Sequence, residues 1–124
     1  ADRSFYAREE TVPEGIKQPT SDYKSGSPNS SIPWKNIGFQ GRGFVGGGPT
    51  KEEISDYKGV KALEPVRIYA GYTAADNAES RAKLAVEELK RTDAFSREVL
   101  VIATPTGTGS VSYTHLTLPT SDLV

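Results

Sequence analysis

The stretch PVRIYAGYTAADNAESRAKLAVEELKRTDAFSREVLVIAT, residues 65–104, decides the fold class. Its opening, Pro65 to Tyr72, is rich in β-branched and aromatic side chains and closes on glycine and threonine, which is the grammar of a strand. Asp76 and Glu79 then form a D-x-x-E helix start. Behind it Ala82, Ala85, Val86 and Leu89 fall at i, i+3, i+4 and i+7, predicting one apolar helical face. Glu79 with Lys83, and Glu87 with Arg91, are acid-before-base pairs on the exposed side, each contributing about 0.2–0.5 kcal/mol. Val99 to Thr104 is a near-continuous apolar run, the pattern of a strand covered on both faces. Strand, amphipathic helix and apolar strand make a βαβ unit with a right-handed crossover and parallel strands. The expected class is therefore α/β. Two parallel strands cannot cover their own faces, so the unit implies further strands and helices.

Working outward, residues 1–48 carry many turn formers and little periodicity. Gly, Pro, Ser and Asn bury too little apolar surface to offset chain entropy, so residues 1–31 read as an extended arm or linker. Ile32-Pro33-Trp34 and Phe39 to Val45 interrupt that grammar and predict irregular backbone pinned to a neighbouring surface. Thr50 with Glu53 is a T-x-x-E capping box after Pro49, predicting a short helix to about Tyr57.

Composition narrows the function classes. At 124 residues, 35% hydrophobic and 25% charged, the chain has room for one modest domain and reads as soluble. It contains no Met and opens ADRSFYAREE, with neither a basic n-region nor an apolar h-region, so residue 1 is expected to be an internal position of a longer protein. No window approaches the roughly 20 apolar residues of a membrane span. The absence of Cys removes disulfides, thiolate metal sites and a Cys nucleophile. A net charge of −1 with interspersed signs gives no basic stripe for nucleic acid. With one His and no Cys, no metal or other cofactor is expected.

Two glycine-rich stretches are candidates for chemistry. Gly41 to Gly46, GRGFVG, matches G-x-G-x-x-G, but SIPWKNIGFQ precedes it and Gly47-Gly48-Pro49 follows, where the dinucleotide fingerprint needs a strand and then a helix. The expected role is a loop that docks Phe44 and Val45. TPTGTG, Thr104 to Gly109, follows the carboxyl end of the second predicted strand, where open α/β sheets place ligands. Thr104, Thr106, Gly107, Thr108 and Gly109 form either a binding loop with backbone donors or a plain turn. The stretch lacks the Lys of a P-loop, and no G-x-S-x-G nucleophile elbow occurs. No catalytic residue is assigned. Asp76, Glu79, Glu87, Glu88 and Asp93 fall at caps and on the predicted solvent face of the helix.

Several blocks in one order then carry a resemblance: Ile32-Pro33-Trp34, GRGFV, Gly48-Pro49-Thr50, PVRIYAG, the stretch from Arg81 to Phe95, and Val99 to the TPTGTG loop. Over residues 24–109 the chain resembles the bacterial α/β-hydrolase family whose members join an N-terminal multi-helix membrane region to a C-terminal hydrolase domain. The resemblance implies a serine hydrolase of esterase or lipase type, tethered to the membrane upstream, with residues 32–109 as the opening of its parallel sheet. In that family the serine elbow, acid and histidine follow the TPTGTG loop, so this chain is expected to be an inactive fragment whose partner is the rest of its own domain. The loop itself would lie at the pocket mouth. The alternatives are a small nucleotide- or anion-binding module using TPTGTG, and a non-catalytic interaction segment.

The end of the chain has a different grammar. After Gly109 the family pattern continues with tryptophan, whereas here Ser110 leads into VSYTHLTLPT. Val111 to Thr120 is, codon for codon, the translation of a transposase sequencing adapter, and Val124 falls where that adapter reaches a stop codon. Residues 110–124 are therefore expected to be non-native, His115 included. Without Asp122 the acids and bases balance at 15 each.

Overall fold

A computed structural model describes residues 9–103. A 3-10 turn at Trp34–Asn36 leads into helix α1, Phe39–Gly46; helix α2 spans Lys51–Lys58 and helix α3 spans Ala78–Arg91, with a second 3-10 turn at Ala94–Ser96. The expected βαβ unit is not found in residues 9–103. Among the described residues there is no strand, and the one β feature is an isolated parallel bridge between Lys24 and Arg67. At that bridge Ser25 N donates to Arg67 O at 2.9 Å and Arg67 N donates to Tyr23 O at 3.1 Å.

The physical reason lies in what β-propensity measures, which is fit to neighbouring strands rather than a preference of the isolated backbone. Residues 65–70 meet a single bridge partner on one edge. In the second predicted strand Leu100, Val101 and Ile102 remain 39%, 37% and 70% exposed. Neither run has the flanking strands that a parallel sheet buried on both faces requires. The α/β assignment is thus replaced by three helices joined by turn-rich segments.

The helices follow local signals closely. The Thr50 hydroxyl accepts from Glu53 N and Glu53 Oε1 accepts from Thr50 N, both at 3.1 Å, which completes the predicted box at the start of α2. Gly59, at φ 75°, ends that helix in the left-handed conformation. At α3 the cap sits one residue later than the D-x-x-E pattern predicts: Asn77 Oδ1 accepts from Ser80 N at 2.8 Å. The face that packs also differs from the predicted one. Of the predicted face Ala85 and Leu89 are half-buried, but Ala82 is exposed and Val86 is 42% exposed, while Leu84 meets the core and Glu88 is fully buried. Glu79 and Lys83 form their predicted pair at 3.6 Å, but Arg91 bonds Glu88 rather than Glu87.

The GRGFVG stretch is helix α1, not a loop. Gly38, at φ 88°, turns the chain into the helix, and Glu9 Oε1 accepts from Phe39 N at 3.2 Å as a cap supplied from far along the chain. A side chain at Gly41 would collide with the Tyr69 ring and with Ile37, so this glycine is what lets the helix lie against its neighbours. The predicted docking of Phe44 and Val45 holds. Val45 is fully buried with Ile32 and Ile37, and Trp34, Phe44, Tyr69, Ala70, Ala74 and Leu84 pack around them. Glycines cost a helix about 0.5–1 kcal/mol each relative to alanine, so α1 exists through this packing and not through propensity.

Candidate functional site

The sequence-predicted loop residues Thr104, Thr106, Gly107, Thr108 and Gly109, and His115 beyond them, lie outside the described residues. Within them, two buried polar clusters stand out, and neither was legible as a site. The first is built on Glu88, the single buried residue of α3. Its Oε1 accepts from Ser25 Oγ at 3.0 Å, Ser30 Oγ at 2.5 Å and Arg91 Nη2 at 3.1 Å. Its Oε2 accepts from Ser31 N at 3.0 Å and Arg91 Nε at 2.6 Å. Arg91 Nη1 continues the network to Asp22 O at 2.6 Å.

Burial pushes the Glu88 carboxyl up, but the Arg91 bonds, the Ser30 hydroxyl, the Ser31 amide and the Arg91 charge together hold it below the ordinary carboxylate value. A carboxylate offers about four lone-pair sites, and five donors already converge on this one. No position is left for a substrate proton or a metal. The cluster is a joint between residues 22–31 and α3.

The second cluster surrounds Arg42, buried within α1. Its guanidinium donates to four backbone carbonyls: Nη1 to Glu9 O at 2.7 Å and Thr11 O at 2.6 Å, Nη2 to Lys35 O at 3.1 Å, and Nε to Trp34 O at 3.3 Å. It also lies 5.6 Å from the centre of the Trp34 ring. This arrangement fastens residues 9–11 and the Trp34 turn to α1, and it engages four of the five N–H donors of the fork. Among the described residues no group of three or more His, Cys, Asp or Glu side chains is placed to hold a metal ion, and no helix is long and apolar enough to cross a membrane.

Comparison with known families connects these joints to a larger pattern. The model for the alpha/beta-hydrolase family N-terminus matches residues 1–49, and the model for the alpha/beta-hydrolase family matches residues 66–118. The chain belongs to this alpha/beta-hydrolase family. Comparisons with curated proteins and with solved structures gave no match. The Glu88 cluster bridges the two matched stretches of the chain: Asp22, Ser25, Ser30 and Ser31 come from the first, Glu88 and Arg91 from the second. Helix α2 lies in the unmatched interval between them. The second match runs past Gly109 and takes in residues 111–118 of the stretch read as adapter.

The signals that sequence reading missed are specific. Glu88 has Leu84 and Thr92 at i−4 and i+4 and Arg91 at i+3, so a helix packing through Leu84 carries the carboxylate inward with a partner one turn away. Hydropathy periodicity ranks that face as solvent. Arg42 sits between two glycines in a stretch that reads as loop, and only the helical conformation puts its guanidinium among the carbonyls.

Proposed function

We propose that this chain is the opening part of a serine hydrolase of esterase or lipase type, membrane-associated through a region preceding it, and that residues 1–124 alone do not turn over ester. The family matches over residues 1–49 and 66–118 carry the reading. The sequence supports it by lacking a G-x-S-x-G elbow and by holding one histidine, His115, in the stretch read as adapter. On this reading the nucleophile, acid and base follow the TPTGTG loop, and backbone N–H groups of Thr106 to Gly109 sit at the pocket mouth.

The test is hydrolysis of a p-nitrophenyl ester with and without a serine-directed organophosphate. Residues 1–124 are expected to give no reagent-sensitive turnover, whereas the product of a longer copy of the gene gives it. Turnover by residues 1–124 overturns the fragment reading, and a longer product that is insensitive to the reagent overturns the serine mechanism. The adapter reading of residues 111–124 has its own check: reads extending the gene past Gly109 that still encode SYTHLTLPT would sink it. The family match takes in residues 111–118, which the adapter reading treats as non-native, so the two make opposite predictions for those reads.

A further inference from the structure

Helix α3 is attached in an unusual way. Of its fourteen residues Glu88 alone is buried, and it is a carboxylate. An amphipathic surface helix normally docks through its apolar stripe. Here the apolar side chains are only half-buried at Leu84, Ala85 and Leu89, and Ala82 and Val86 are exposed.

The surface facing Glu88 is equally polar. Residues 22–31 form a compact loop closed by its own bonds: Gly26 N donates to Ile32 O at 3.1 Å, Ser30 N to Ser27 O at 3.0 Å, and Asn29 Nδ2 to Asp22 Oδ1 at 3.0 Å. Its buried side chains, Ser25 and Ser27, are hydroxyls. The loop meets α3 at its start through Arg91 on Asp22 O, at its middle through Ser25 on Glu88, and at its end through Ser30 and Ser31 on Glu88. On its other side it bonds residues 67–69 through the Lys24–Arg67 bridge, which involves no atom of α3, and through Tyr69 N on Ser25 Oγ at 3.3 Å, the hydroxyl that also donates to Glu88. The Ile32, Ile37 and Val45 core draws one side chain from α3, Leu84.

We propose that α3 is a detachable element held by a two-residue clasp, Glu88 with Arg91. When the charge of Glu88 is lost, α3 leaves the loop while the loop, its bridge to Arg67 and the core stay folded. A released helix of this length is marginal in water and frays, which makes the event readable by amide exchange.

The experiment is residue-resolved hydrogen exchange on the intact chain carrying Glu88→Gln, with Ser30→Ala as a milder variant that removes one donor and leaves the charge in place. Glu88→Gln is expected to speed exchange of the α3 amides, Arg81 to Thr92, by about tenfold or more, the scale of a lost hydrogen bond to a charged group. The amides of Arg42, Gly26 and Arg67 should change by less than about threefold, with the Trp34 emission unaltered. Ser30→Ala should give the same pattern at smaller amplitude. Unchanged α3 exchange in Glu88→Gln overturns the proposal. So does an equal loss of protection in α1 and α3 in either variant, because the clasp would then be part of one cooperative unit.

Discussion

In residues 22–46, glycine, serine and proline separate a few aliphatic side chains, yet Ile32, Ile37 and Val45 among them are fully buried. In residues 99–103 every side chain is apolar, and Leu100, Val101 and Ile102 stand well exposed. Burial here follows the supply of partners rather than hydropathy. The first region folds its turns over one another, brings Arg42 and Glu9 to the open ends of its backbone, and needs nothing from a sheet. The second is written for strands on both sides and meets none among the described residues.

The strongest way to break this contrast is to attack the polar side of it. Glu88→Ala leaves the Arg91 guanidinium and the Ser25, Ser30 and Ser31 donors facing each other without their acceptor, and should cost α3 about 3–5 kcal/mol of local stability, read from the exchange of its backbone amides. Ile37→Ala, which opens a cavity in the turn-built core, should cost about 2–5 kcal/mol by urea unfolding. Both values would place the energetic weight in the region that looks less foldable.

Acid should act along the same line. Unfolded, Glu88 titrates near its ordinary 4.5, and folded it titrates lower because its hydrogen bonds favour the charged form. Its stabilisation is therefore complete above that ordinary value and disappears as pH falls through the depressed folded-state range. The amide protection of α3 should drop in this acid window, and Glu88→Gln should show a shallower drop.

Smaller effects sharpen the other half of the comparison. Thr50→Ala removes the acceptor for Glu53 N and should cost about 1 kcal/mol, read as lost protection confined to α2. Ile102→Ser, although it deletes the most apolar type of side chain in the run, should change stability by less than about 0.5 kcal/mol because the position is exposed. A large loss at Ile102 would mean that the run is covered in solution.

What the sequence made legible divides along the same physical boundary. Signals that act within one turn survived: the Thr50–Glu53 box, the Glu79–Lys83 pair and the start of α3 to within one residue. Signals that need distant partners did not. The β-rich run around Ile68 found one bridge in place of a sheet, and the Ala82–Val86 stripe was displaced from the interior by Leu84 and Glu88. GRGFVG was misread because glycine lowers helix propensity, whereas the close approach of Tyr69 to Gly41 requires it. The Glu88 joint was invisible because its three serine partners lie in a segment whose composition reads as linker.

Helix α2 has a practical consequence. It is capped at both ends by its own residues, Thr50 and Glu53 at the start and Gly59 at the end, it contributes Ile54 alone to the interior, and Tyr57 stands 90% exposed on it. The interval holding it falls between the two family matches. Such a helix is a ready site for engineering: a fluorophore at position 57, or a loop of different length in place of residues 51–58, can report on or separate the two matched stretches without touching the joints that hold them together.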